Sequence, residues 1–203
     1  MKTSDGALVV IGGASRSGKT AYTARRVSRE RRVIAWDVDD QWSGLRGWSR
    51  VTSRAELLRA VQRPGAGKIA YVAGGDIKTE FDFFCGCAMY WGRYFGGCVV
   101  IAEELADVTT PAKAPGNWGI MLRRGLKRGI TIYAISQRWA EADKTAIGNA
   151  SEFVLFRMVG DDVRYMARKT RIDESELDGL ESLDWVRLMV SEKQMERGRL
   201  KFR

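Results

Sequence analysis

Eight consecutive residues, Gly13-Ala14-Ser15-Arg16-Ser17-Gly18-Lys19-Thr20, fit the pattern G-x-x-x-x-G-K-[ST] without a mismatch. The chemistry explains the spacing. A loop that wraps a phosphate must offer its backbone N–H groups, so glycines stand where the ligand touches the main chain or φ is positive. The helix that follows aims its N-terminus at the same anion. Lys19 then reaches the β- and γ-phosphates, and the Thr20 hydroxyl is placed to ligate Mg²⁺. The expected nucleotide-binding set runs from Gly13 through Ala21, with ATP and Mg²⁺ as the bound species.

Such a loop needs a carboxylate at the end of a second buried strand. Cys98-Val99-Val100-Ile101-Ala102 is a short apolar run of that kind, and Glu103-Glu104 ends it. Two adjacent acids suggest a division of labour. Glu103 would hold Mg²⁺ through water, and Glu104 would act as general base on the attacking water. The alternative is a pair of solvated acids at a helix start. A third apolar run, Thr131-Ile132-Tyr133-Ala134-Ile135-Ser136, ends in Gln137. If that strand lies close to the first, Gln137 could sense the γ-phosphate or hold the water.

These residues require a scaffold that brings strand ends together. Residues 7–11 read as a buried strand and 19–31 as a helix. Strands follow at 33–36, 68–73, 98–102, 130–135 and 153–158. Between them come helices at 54–62, 79–95, 118–128, 139–148 and 161–169. Residues 41–53 and 107–118 read as loops. The last twenty residues suggest a hairpin, WVRLMV then GRLKF. Alternating strands and helices imply an α/β fold: a mainly parallel sheet sandwiched by helices, with a short C-terminal β-hairpin. The 203 residues fit one domain, with a core over about 7–170 and a hairpin extension over about 171–203.

Composition narrows the chemistry. There is no histidine, which removes Ser-His-Asp and Cys-His catalysis and His-ligated zinc. Lys+Arg exceed Asp+Glu by 34 − 25 = 9, which points to a polyanionic partner, nucleic acid first. Three cysteines, two of them in Cys85-Gly86-Cys87, suit no disulfide framework and read as core thiols in a reducing compartment. The N-terminal residues carry no signal-peptide pattern, so secretion is not expected. The most apolar helical stretch, residues 83–91, is about half of the roughly 20 residues a membrane span needs, so no span is expected.

Taken together, GGASRSGKT, VVIAEELAD and GITIYAISQR resemble the HerA/FtsK superfamily of DNA-pumping ATPases. Within it, the size is similar to the genome-packaging ATPases of tailless, membrane-containing double-jelly-roll viruses of the tectivirus type. The resemblance covers residues 7 to about 160. It implies a RecA-like P-loop NTPase core of the ASCE class, working as a homo-oligomeric ring, commonly a hexamer, with double-stranded DNA in the pore. It also implies the host cytoplasm or a packaging vertex of the virion as the place of action, with capsid or viral membrane proteins as possible partners. On the matching positions, Gly13, Gly18, Lys19 and Thr20 bind nucleotide, Glu103 and Glu104 form the Walker B pair, and Gln137 is the sensor. The family usually has Asp where this chain has Glu103, and the extra methylene lengthens the reach to Thr20. The family also completes its site with an arginine from the neighbouring subunit. The helix before the sensor strand offers Arg124 first, then Arg123 and Arg128.

Two loops following strand ends are candidates for touching DNA. One interleaves Trp42, Arg46, Trp48 and Arg50, as backbone neutralisation with stacking would require. The other carries Lys113 between prolines. The competing reading for both is a surface loop whose tryptophans cap the core or pack against a neighbouring subunit. For the whole chain, the functions in competition are a DNA-translocating ATPase, a nucleotide-kinase-like phosphotransferase, and a nucleotide-gated DNA-binding or assembly scaffold. The paired acids argue against a kinase, which gains nothing from an activated water.

Overall fold

A computed structural model describes residues 5–63, 65–112 and 114–202. In chain order the elements are β1 (Leu8–Gly12), α1 (Lys19–Arg26), β2 (Arg32–Trp36), β3 (Trp48–Val51), α2 (Arg54–Val61), β4 (Gly67–Tyr71), α3 (Ile77–Phe95) and β5 (Cys98–Ala102). They continue with α4 (Leu105–Val108), α5 (Gly116–Arg124), a 3₁₀ turn (Leu126–Arg128), β6 (Ile130–Ser136), α6 (Lys144–Gly148) and β7 (Glu152–Phe156). The last are α7 (Asp161–Thr170), α8 (Glu174–Asp178), β8 (Asp184–Met189) and β9 (Gln194–Arg199).

The strands form one sheet of nine in the order β3-β4-β2-β5-β6-β1-β7-β8-β9. All pairings are parallel except β7 with β8 and β8 with β9. Parallel strands joined through helices are buried on both faces, so they read as unbroken apolar runs rather than alternating ones. Along β1, Leu8 and Val10 enter one core, with Phe84, Trp91 and Trp118. Val9 and Ile11 enter the opposite core, with Tyr22 and Val27. Residues from α2, α3, α5, α6, α7 and α8 line the first core. The second is lined by α1, by Trp42 from the segment after β2, and by Leu200 after β9.

The structure corrects several element boundaries. Residues 41–53 are not wholly loop: Trp48–Val51 pairs with β4 as an edge strand. Its middle residues are exposed, so no buried run announced it. The helix read over 19–31 stops at Arg26, and the one read over 139–148 shrinks to Lys144–Gly148. The second hairpin strand is Gln194–Arg199, earlier than GRLKF, and α8 was not foreseen. A partly buried ion network ties the hairpin to β7 here. Arg187 donates to both oxygens of Glu152 at 2.8 and 3.0 Å, and at 3.1 Å to Glu196, its cross-strand partner on β9. The three cysteines are free and buried, in keeping with core thiols.

Candidate functional site

The P-loop follows β1 and the acidic pair follows β5. Between those strands lies β6, paired to both, with Gly12 opposite Ser136 and Ala102 opposite Ala134. All three are parallel, so their carboxyl ends meet at one edge of the sheet, where ligands of open α/β folds bind. This brings Gln137 between the loop and the acids, meeting the condition set from the sequence.

The loop is shaped by glycines at both ends. A Cβ on Gly13 would lie 2.6 Å from Ser17 Oγ and 2.7 Å from Phe156 Cβ. Gly18, at φ 113, takes a backbone that L side chains rarely adopt, and it opens α1. The Ala14 N–H donates to the Arg157 carbonyl at 2.8 Å, tying the loop to the end of β7. Lys19 is buried, and its Nζ donates to the Gly13 and Ala14 carbonyls at 2.8 and 2.9 Å. Burial lowers the Lys19 pKa, while the Glu104 and Glu103 carboxylates pull it back up.

Opposite the loop, the Thr20 hydroxyl lies 3.2 Å from Glu103 Oε1 and 3.4 Å from Gln41 Oε1. Glu103 is buried, and burial pushes its pKa up to about 7, with the Asp37 and Glu104 charges acting in the same direction. The Thr20 hydroxyl and the nearby Trp42 indole oppose that shift. The indole N–H approaches Glu103 outside normal hydrogen-bond limits and has no other partner. Glu104 stands in the left-handed region, at φ 46 and ψ 51. This turns it away from the strand direction, and its Oε1 accepts from Gln137 Nε2 at 2.6 Å.

A cleft of about 610 Å³ runs between these groups. Ser15 through Ala21 line one side, with Glu103, Glu104, Gln137 and Gln41 facing them. A buried carboxylate beside a threonine hydroxyl is an oxygen donor set that suits Mg²⁺. No cluster of three or more His, Cys, Asp or Glu positioned for a metal occurs among the described residues.

The residues read as nucleic-acid contacts separate. Trp42 is fully buried, its ring centroid 5.0 Å from that of half-buried Trp48, so these tryptophans cap the core and do not form an open stacking surface. Arg46 is exposed. Arg50 is exposed but pairs in two-pronged fashion with Asp40, at 2.9 and 2.8 Å. Lys113 lies outside the described residues. Arg123 and Arg124 are exposed in the last turn of α5, away from the residues lining the cleft.

Sequence reasoning missed Asp37. It follows β2 directly, is fully buried, and accepts from the backbone N–H groups of Gln41, Trp42 and Ser43 at 2.8, 3.0 and 3.1 Å. It thereby holds the segment that brings Gln41 to Thr20 and Trp42 to Glu103. The signal was present, since an acid ending an apolar strand is the cue that found Glu103. Leu183 and Phe202, which also line the cleft, carried no such cue.

No protein-family model matches the chain. Protein P9 of Pseudoalteromonas phage PM2 is 34% identical over 140 residues, 68% of this chain and 62% of that protein. The chain thus spans less than two thirds of that relative. Among solved structures, the genome-packaging NTPase B204 of Sulfolobus turreted icosahedral virus 2 in complex with AMPPCP superposes with a TM-score of 0.79 at 14% identity, over 97% of this chain and 98% of that one. B204, the DNA-packaging ATPase of Sulfolobus turreted icosahedral virus, gives 0.72 at 16% identity over the whole of both chains. The fold is that of the P-loop NTPases, and these neighbours agree with the resemblance to viral packaging ATPases of the HerA/FtsK type.

Proposed function

We propose that this chain is an ATP-hydrolysing motor that translocates double-stranded DNA, packaging it into a viral capsid. The observation that carries the hydrolytic part is Glu104, which Gln137 holds at 2.6 Å in the cleft that Lys19 and Thr20 also line. A carboxylate fixed there can accept a proton from water attacking a phosphate cradled by the loop. A phosphotransferase would need the water excluded from that position.

The chain's residues then divide the work. Within the stretch 13–21, backbone N–H groups not already taken, as that of Ala14 is by the Arg157 carbonyl, bind the phosphates together with the Lys19 ammonium. Thr20 and Glu103 would hold Mg²⁺, which when bound offsets charge on the phosphate oxygens. Gln137 fixes the Glu104 carboxylate so that only one of its oxygens is free to take the proton. Exposed Arg124 on α5 is the leading residue to enter a neighbouring subunit's site in a ring, with Arg123 and Arg128 behind it. Among the described DNA candidates, Arg46 is the exposed cation with no carboxylate partner, and the +9 charge supports a polyanionic track. No helix among the described residues is long and apolar enough to cross a membrane. Contacts with a capsid vertex or membrane protein would have to be made by the surface of this domain or by parts beyond it.

The test is phosphate release by purified protein, with and without long double-stranded DNA, over a protein concentration series. DNA stimulation that rises steeply with concentration and vanishes in Lys19→Ala and Glu104→Gln is expected. Turnover indifferent to DNA and concentration would replace the motor with the phosphotransferase or scaffold reading, which phosphate acceptors would then separate.

A further inference from the structure

One end of the nucleotide cleft is built by a part of the chain that contributes nothing to the phosphate chemistry. Leu183, just before β8, and Phe202, just after β9, line it together with the P-loop. Leu183 and the segment leading to Phe202 are held there by backbone ties. The Leu183 N–H donates to the Ser17 carbonyl at 3.2 Å, and the Leu200 N–H donates to the Leu183 carbonyl at 2.9 Å. Leu200 packs so closely over Gly18 that a Cβ there would lie 2.7 Å from its Cδ1. The guanidinium of Arg25, on α1, donates to the Lys201 carbonyl and lies 5.3 Å from the centroid of the Phe202 ring.

Two features of this corner ask for an explanation. Phe202 is 63% exposed, although it is the largest apolar side chain on the cleft. Leu183 sits at φ 73, a left-handed backbone that is an outlier for a bulky residue and tends to persist where structure around it requires it. The backbone ties to Ser17 and Leu200 account for the second, and part of a ligand lying in the corner would account for the first. A nucleotide whose phosphates lie on the loop must put its base away from Glu103 and Glu104. The large apolar side chains left on the cleft are half-buried Leu183 and exposed Phe202, since Ile135 is buried.

We propose that Phe202, braced by Arg25 and flanked by Leu183, is the stacking platform for the nucleobase, and that it selects purines by ring area. The inference rests on the nucleotide-site reading above. The two side chains of the wall that line the cleft, Leu183 and Phe202, are apolar and cannot read the base edge, while Arg25 does not line the cleft and is turned to the Lys201 carbonyl and the Phe202 ring. Every base has a π-face, so stacking ranks bases by size and not by exocyclic groups. Adenine and guanine are therefore accepted alike, and pyrimidines less well. The tail also couples base binding to the loop, because the segment that carries Phe202 packs on Gly18 through Leu200.

Equilibrium binding of ATP, GTP, UTP and inorganic tripolyphosphate to the full chain tests this, using Phe202→Ala, Phe202→Trp and Lys19→Ala. Phe202 is exposed, so its replacement leaves the core intact. Phe202→Ala should weaken ATP about tenfold, the scale of one base–aromatic stack, and leave tripolyphosphate unchanged. Phe202→Trp should restore ATP binding, and wild type should hold ATP and GTP alike and UTP more weakly. Unchanged ATP affinity in Phe202→Ala overturns the proposal. Equal weakening of ATP and tripolyphosphate also overturns it, because the tail would then shape the loop and not stack on the base. If neither ATP nor tripolyphosphate responds to Lys19→Ala, the nucleotide-site reading itself has failed.

Discussion

Gln137 Nε2 donates to Glu104 Oε1 at 2.6 Å, joining the ends of two neighbouring strands across 33 residues of sequence. The contact occupies one oxygen of Glu104, and in the proposed mechanism the other faces a substrate water. Glu104→Gln is expected to lower the hydrolysis rate by about 10²–10⁴-fold, the span of general-base effects. Nucleotide binding should be unchanged if Glu104 acts on water as proposed. Gln137→Ala should lower turnover less, about tenfold, since the base survives but loses its orientation. Phosphate release beside equilibrium nucleotide binding separates the two effects.

Glu103 makes stability depend on pH. Its carboxyl is raised from an ordinary 4.5 to about 7 by burial, so the folded protein binds a proton that the unfolded chain has released. The sign follows: this contribution is most favourable below about pH 4.5 and is lost as pH rises to about 7. At pH 8 the ionised buried carboxylate costs about 3 kcal/mol. Glu103→Gln should therefore raise the Tm of nucleotide-free protein at pH 8, and most of the gain should disappear by pH 5. A set of thermal melts across that range checks it.

Asp37 satisfies three backbone N–H groups in a buried turn. Asp37→Ala leaves those donors without a partner and should cost about 3 kcal/mol in urea unfolding. Hydrogen exchange should quicken over residues 38–48 before it quickens in β2.

Trp42 and Arg46 should behave oppositely. Trp42→Ala empties a fully buried site and should destabilise by about 3–5 kcal/mol. Arg46→Ala should leave Tm unchanged. If Arg46 meets a DNA phosphate, its loss should lower the slope of log affinity against log salt by about one, equally for all sequences.

A shared site between subunits has a direct signature. Lys19→Ala and Arg124→Ala should each be inactive alone. Mixing them should restore part of the activity, because some interfaces then pair an intact loop with an intact arginine. Failure of Arg124 with recovery by Arg123→Ala or Arg128→Ala would reassign the arginine.

The P-loop, the acidic pair and the parallel α/β pattern were legible because each rests on local rules. Glycine and lysine spacing is set by the reach of a backbone around a phosphate, and buried parallel strands must be continuous apolar runs. The edge strand Trp48–Val51 was not legible, since its pairing with β4 is made mostly by backbone and half its side chains face water. Trp42 misled for a related reason. An indole beside arginines reads the same whether it stacks on a base or caps a core, and only the clamp from Asp37 decides for the core.

The sequence by itself determined what chemistry is available: a loop with the spacing that suits a phosphate, a buried strand ending in two acids, a glutamine ending another, and no histidine to do otherwise. Tertiary structure alone decided their relation. The order β5-β6-β1 places Gln137 against Glu104, and the hairpin folds back so that residues 183 and 202 reach a loop more than 160 positions earlier. Strand order and the return of a distant segment depend on which buried faces fit together in space, and no spacing along the chain encodes that fit.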